Sequence, residues 1–222
     1  MKIGIIAAMS KELNLLLPML ADRRTVNIND VTYHTGTIAD REIIAMQSGI
    51  GKVNAAIATL TLIDNFHPSL VINTGVAGGT GAANLLDVVI PDRIAYHDVW
   101  CGPGTIPGQA AECPLFFECP LPASLVESLG ARQGVLASGD IFVSKPEEVQ
   151  HILGLFPDAV AVDMESAAIA HVCHLKNVPF VAIRVISDTP GREHDNVEQY
   201  NNFWEDAPER TFEILTSLLR AI

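Results

Sequence analysis

The fourteen residues "AVDMESAAIAHVCH" (161–174) place two carboxylates and a methionine where an apolar segment gives way to a run of small residues. Asp163, Met164 and Glu165 at such a junction have an ordinary reading, in which Asp163 caps a helix, Glu165 complements its dipole and Met164 fills core. The other reading is a polar ligand site. Three further stretches bear on the choice. "GIIAAMSKE" (4–12) ends an apolar run with Met9 and Glu12; "INTGVAGG" (72–79) ends one with Gly75 to Gly79; "VAIRVISD" (181–188) carries Arg184, Ser187 and Asp188. Each stretch alone is weak, since a glycine cluster is more often a tight turn and an acid after a strand more often a cap. Together they bring three carboxylates, methionines and closely approachable backbone to the ends of four apolar runs. Buried acids are costly unless paired, so this is an unusual composition for a merely structural edge.

Those residues need elements to hold them. Continuous apolar runs at 2–8, 69–75, 86–96, 134–139, 159–162 and 179–187 read as strands, most of them buried on both faces. Residues 31–37 and 42–48 alternate as a hairpin turning near Asp40. "GKVNAAIATLTLIDNF" (51–66) has helical spacing, with Val53, Ile57, Leu60 and Asp64 on successive turns. Helices are also expected at 145–153, where Pro146 falls in the first turn, from Glu165 to about Lys176, and at 205–220. Alternating strands and helices predict an α/β fold with helices on both faces of a mainly parallel sheet, in which ligands sit beyond the carboxyl ends of the strands. Residues 98–120, rich in Gly, Pro and Cys, break the pattern as one long irregular excursion of functional or interfacial type. No repeat or linker divides the chain, so residues 1–222 are read as one domain.

Composition narrows the function. With 222 residues, 49% of them hydrophobic and 18% charged, there is ample core. A formal net charge of −12 opposes nucleic acid and anionic membrane surfaces as partners, since both need basic stripes. No apolar run reaches the roughly 18 residues of a membrane span. The N-terminal run breaks at Ser10-Lys11-Glu12 and reads as a buried first strand rather than a signal peptide, which places the protein in the cytoplasm. The four cysteines, 101, 113, 119 and 173, have no metal-ligand spacing between themselves or with His97, His171 and His174, so reduced thiols and no metal are expected.

Six blocks in order, "GIIAAMSKE", "SGIGKVNAA", "INTGVAGG", "SGDIFVS", "VDMESAAIAHVCH" and "RVISDTPG", resemble the methylthioadenosine/S-adenosylhomocysteine nucleosidases of the nucleoside phosphorylase superfamily, over residues 1 to about 191. The resemblance implies a three-layer α/β/α sandwich around a twisted, mainly parallel mixed sheet. It also implies a homodimer, a small nucleoside substrate and no cofactor. The reaction implied is hydrolysis of the N-glycosidic bond between adenine and a 5′-thioribose, through an oxocarbenium-like transition state.

Carried over residue by residue, Glu165 binds the 2′- and 3′-hydroxyls and Met164 packs on the sugar. Asp188 is the general acid aimed at adenine N7, helped by Ser187, and Glu12 orients the attacking water. A free Asp titrates near roughly 3.9, so Asp188 must be raised; burial and the carboxylates Glu12 and Glu165 are the expected causes. Phe142 and Val143 form the adenine slot, Met9 and Ile50 line the ribose and alkylthio region, and Val76, Ala77 and Gly78 bring backbone to the ligand. Arg184 is expected to anchor the water and Glu12, with a plain ion pair as the other reading, and Asp163 to cap or support. Ile106 and Pro107 are expected to close over the 5′ group from a partner subunit, and Tyr200, Phe203 and Trp204 to form a lid. Two departures stand out: Val76 replaces a common serine, and 98–120 does not follow the common pattern. The nearest rivals are a nucleoside phosphorylase of the same fold, opposed by Glu12 where a phosphate would lie, and a futalosine or aminofutalosine hydrolase. A non-catalytic nucleoside-binding protein is opposed by the presence of both Glu12 and Asp188.

Overall fold

A computed structural model describes residues 1–190, 196–206 and 208–222. Its strands are β1 (Lys2–Ala7), β2 (Ala21–Ile28), β3 (Val31–Ile38), β4 (Arg41–Gln47), β5 (Leu70–Gly79), β6 (Val88–Val89), β7 (Arg93–Tyr96), β8 (Phe117–Glu118), β9 (Val135–Ser138), β10 (Ala159–Asp163) and β11 (Phe180–Asp188). Its helices are α1 (Ser10–Leu16), α2 (Lys52–Phe66), α3 (Ala123–Ser128), α4 (Pro146–Leu155), α5 (Ser166–Lys176), α6 (Asn196–Asp206) and α7 (Pro208–Ala221).

The strands form one mixed sheet in the order β2-β3-β4-β1-β5-β10-β9-β7-β8, with β11 on the other side of β5 and β6 beyond it. Parallel ladders join β4, β1, β5 and β11 at the centre, and β7, β9 and β10 in the second half. The two halves meet where β10 runs antiparallel to the end of β5, Ala161 opposite Gly79 and Val162 opposite Gly78.

Alternation along the central strands sorts side chains into the layers. Ile3, Ile5 and Ala7 of β1, with Ile43 and Ala45 of β4, pack under Leu13 and Leu16 of α1 and Leu215, Leu218 and Leu219 of α7. Ile6, Ile44 and Met46 face the other way, onto Ala55, Ala58 and Leu62 of α2 and Ala167, Ala170 and Cys173 of α5. The small residues of α2 and α5 let helix and sheet approach closely. Gly4 shows how closely, since a Cβ there would meet Leu62 Cδ2 at 2.4 Å.

Several elements differ from expectation. The 69–75 run does not end in a glycine loop but continues as β5 through Gly79, because β11 and β10 both pair with its second half. The 86–96 strand is two, β6 and β7, which pair with different neighbours. β2 carries no apolar alternation to read, since it is an exposed edge strand apart from half-buried Ile28. α1, α3, α6 and the short strand β8 also lacked an expectation, and the closing helix α7 begins at Pro208. The hairpin does turn at Asp40, where Ala39 and Asp40 take positive φ of 49° and 60°. In α2 the turn markers Val53, Ile57 and Leu60 are 69%, 57% and 39% exposed, so the apolar stripe visible in the sequence faces outward. Cys113, Cys119 and Cys173 are buried free thiols, and Cys101 is an exposed one.

Candidate active site

The ends of β1, β5, β10 and β11 meet in one cavity. All four approach one mouth because the antiparallel splice turns the carboxyl end of β10 back alongside Gly78 and Gly79 of β5. Every ligand-contacting residue expected from sequence lines it except Arg184: Glu12 and Asp188, then Met9, Ile50, Val76, Ala77 and Gly78, then Phe142, Val143, Met164, Glu165 and Ser187.

Glu12 sits in the first turn of α1 and is 5% exposed. Its carboxylate reaches back to accept the Met9 N–H at 2.9 Å and the Val76 N–H at 3.1 Å. It occupies the space above Gly75, where a Cβ would lie 2.3 Å from Oε1. Gly75 therefore makes room for a carboxylate. Burial raises the Glu12 pKa, opposed by the charge of Arg184 and by the backbone donors.

Asp188 ends β11, where the register against β5 slips between Ile186 and Asp188. The irregularity lets consecutive residues, Ser187 and Asp188, both line the cavity. Ser187 Oγ donates to Asp188 Oδ1 at 2.6 Å, and Asn196 Nδ2 donates to Oδ2 at 3.2 Å. Burial raises the Asp188 pKa against both of these donors. The neighbouring carboxylates, expected to share in that shift, are not among its causes.

Glu165 stands at the entry to α5 and accepts the N–H of Gly51, which caps α2, at 2.9 Å. Its pKa is pushed up to about 7, by burial first and by the charge of Asp163 second, against the Gly51 donor and Arg184. Asp163 accepts the Ser166 N–H at 3.1 Å and so caps the helix start, as expected.

Arg184 corrects the expectation. It is 2% exposed and lies behind the cavity, its guanidinium on Asp163 Oδ2 at 2.7 and 3.0 Å, on Ser166 Oγ at 2.8 Å and on the Asn73 side chain. It also donates to the carbonyls of Asn73 and Ile183. Its hydrogen bonds go to this buried cluster and none goes to Glu12, so the ion-pair reading holds and its effect on Glu12 is through charge alone.

Phe142 is 44% exposed at the rim, with Tyr200 edge-on at 5.8 Å between centroids. Tyr200 lines the cavity and donates to Met9 Sδ at 3.2 Å. Of the expected lid, Phe203 is instead core between α6 and the sheet, and Trp204 packs on Tyr200 and Phe203. Ile106 and Pro107 do not line the cavity of their own chain. Sequence reasoning missed Ala8, Ile141 and Val162, apolar residues beside recognised ones, and Asn196, which carries no local signal.

The wall thus carries four buried carboxyl groups, of Glu12, Asp163, Glu165 and Asp188, with the hydroxyls of Ser187 and Tyr200, on an otherwise apolar and aromatic surface. No Lys, Arg or His is among the described residues that line it. Such a site can hold hydroxyl donors, deliver a proton and orient a water, but it offers nothing to an anion.

Residues 2–220 match the model of the phosphorylase superfamily. The chain is 41% identical over 200 residues to the 5′-methylthioadenosine/S-adenosylhomocysteine nucleosidase of Staphylococcus aureus (strain MRSA252), covering 86% of this chain and 88% of that one. The chain belongs to this nucleosidase family. Solved nucleosidase structures agree in fold. One is the S-adenosylhomocysteine nucleosidase of Streptococcus pyogenes, in complex with 5-methylthiotubericidin, at a TM-score of 0.94 and 37% identity over 100% of this chain and 97% of that one. Another is the methylthioadenosine/S-adenosylhomocysteine nucleosidase of S. pneumoniae with a transition-state inhibitor, at 0.91 and 39% identity over 100% and 99%. The nucleosidase fold thus carries, in this chain, a cavity whose polar side chains are chiefly acids.

Proposed function

We propose that the protein hydrolyses the N-glycosidic bond of 5′-methylthioadenosine and S-adenosylhomocysteine, releasing adenine and the 5-thioribose product. The observation that carries this reading is the set of carboxyl groups around the cavity, with no lining cation among the described residues. Phosphorolysis needs an anion seated against the ribose, and Glu12 and Glu165 would repel it.

In this reading adenine lies against Phe142, its edge toward Val143 and Asp188. Asp188, kept protonated by burial, gives its proton to N7 as the C1′–N9 bond breaks. Glu165 accepts from the 2′- and 3′-hydroxyls, and its charge favours the oxocarbenium ion. Ribose binding must draw Glu165 into its ionised form, since those hydroxyls are donors. Glu12 holds the water that adds to C1′ and takes its proton. Met164 packs on the sugar, and Met9 and Ile50 border the 5′ substituent. Two acids with different protonation tasks in one pocket are matched by different surroundings, two hydrogen-bond donors from side chains at Asp188 and backbone donors at Glu12.

The enzyme acts as a cytoplasmic homodimer in methionine salvage. The dimer is supported by apolar side chains left uncovered: Val53, Ile57 and Leu60 along α2, Ile50 just before it, and Trp100 and Ile106 in the 98–120 segment. Phe116 and Phe117 of the same segment pack within their own chain against Phe156, Tyr96 and His171. The deciding experiment is incubation with methylthioadenosine or S-adenosylhomocysteine, with and without phosphate, and identification of the sugar product. Free thioribose in phosphate-free buffer is expected; a sugar 1-phosphate formed only with phosphate would overturn the reading.

A further inference from the structure

Asn196 begins α6 and is 5% exposed. Its Nδ2 donates to two acceptors, Asp188 Oδ2 at 3.2 Å and the Val143 carbonyl at 3.3 Å. Both partners accept, so the amide nitrogen must face them, and both of its hydrogens are used. Asn196 itself does not line the cavity. It stands behind the acid and joins it to the backbone of the residue expected at the base edge.

We propose that Asn196 is a positioning residue for Asp188, holding Oδ2 in place and stabilising the carboxylate left when the proton departs. This rests on Asp188 being the general acid. Ser187 donates to Oδ1 at 2.6 Å, and the proposal puts the transferable proton on Oδ2. As C1′–N9 breaks, its electron pair passes to the purine. The Oδ2–H bond breaks, its proton joins N7 and its electron pair stays on Asp188. Water adds to C1′ and gives its proton to Glu12. Before transfer Asn196 donates to a neutral hydroxyl oxygen; afterwards it donates to an anion, and charge-assisted bonds are roughly twice as strong. The gain falls between ground and transition state, so it acts on kcat.

A merely structural role would tie α6 to the sheet, and Gln199 already does that by accepting the Thr189 N–H at 3.0 Å and its hydroxyl at 3.1 Å. The two roles separate in the pH profile. Among the described residues, the other titratable groups facing the cavity are Glu12 from α1, Asp163 and Glu165 from the β10–α5 junction and Tyr200 from α6, with Arg184 behind and paired to Asp163. All of them stay in place in an Asn196 variant. Loss of the donor removes an interaction that favours ionised Asp188, so the alkaline limb of kcat/KM, where the acid must be protonated, moves to higher pH.

The test measures pH profiles of kcat and kcat/KM for the parent, Asn196→Ala, Asn196→Asp and Gln199→Ala, with Asp188→Asn alongside. Asn196→Ala is expected to lose about tenfold or more in kcat, the range for a hydrogen bond to a charged group, with the limb shifted upward. Asn196→Asp, a carboxylate facing a carboxyl, should lose more and shift further, while Gln199→Ala leaves the limb in place. An Asn196→Ala enzyme with a raised KM alone, or with an unmoved limb, overturns the proposal. If Asp188→Asn itself keeps a tenth or more of parental turnover, the reading of Asp188 as the acid fails first, and this inference falls with it.

Discussion

Gly75 and Glu12 share one space: a Cβ at position 75 would lie 2.3 Å from Glu12 Oε1 and 2.9 Å from its carboxyl carbon. The clash is with the end of a side chain rather than with backbone, so Gly75→Ala should fold and push Glu12 off the Met9 and Val76 N–H groups. A displacement near 1 Å at a catalytic group can cost about 10²-fold. Turnover is therefore expected to fall by about that factor, approaching Glu12→Gln, with little change in melting temperature. Activity within about tenfold of the parent would mean that Glu12 needs no such placement.

Glu165 makes stability depend on pH in a definite direction. Its folded pKa is raised from 4.5 to about 7, so the folded state binds the proton more tightly than the unfolded chain. Its contribution is fully present below about 4.5 and is lost as pH rises through about 7. Glu12 and Asp188, also raised, have the same sign. Urea denaturation of ligand-free protein across this window should show Glu165→Gln losing less stability with rising pH than the parent. Parallel curves for the two proteins would show that Glu165 is not raised.

The Asp163–Arg184 pair is buried on both sides, with each side chain 2% exposed. Removing one partner strands a buried charge, which costs about 3–5 kcal/mol. Arg184→Met should lose that much in chemical denaturation, and adding Asp163→Leu should recover part of it. Additive losses in the double variant would show that the two residues do not act as a pair.

The uncovered face of α2 predicts a chain that sediments at twice its mass of 23.9 kDa. Ile57→Glu, a charge placed at a residue 57% exposed in the single chain, should shift the species to monomer without unfolding it. A parent that is monomeric at working concentration would remove the basis for the dimer.

The sequence by itself determined the parts whose signal is local. Apolar runs too short for helices marked β1, β5, β10 and β11, because strands buried on both faces must be apolar throughout. Glu12, Glu165 and Asp188 could be picked out because an acid directly beyond such a run has to answer for its burial. The resemblance then supplied their roles, which neither spacing nor residue type contains.

Tertiary structure decided what depends on neighbours distant in the chain. Whether Arg184 faced the cavity or backed it could not be read from β11, since its partner Asp163 comes from β10 and Asn73 from β5. The strand nature of 75–79 came from pairing with β10 and β11, which overrode the glycine pattern. β2, a polar edge strand, holds its place by hydrogen bonds to β3 and buries too little to leave an apolar trace. The outward stripe of α2 and the buried one are both apolar, so periodicity alone could not say which faced the sheet. Asn196 had no signal because a single amide becomes meaningful only when folding sets it against a carboxyl and a carbonyl.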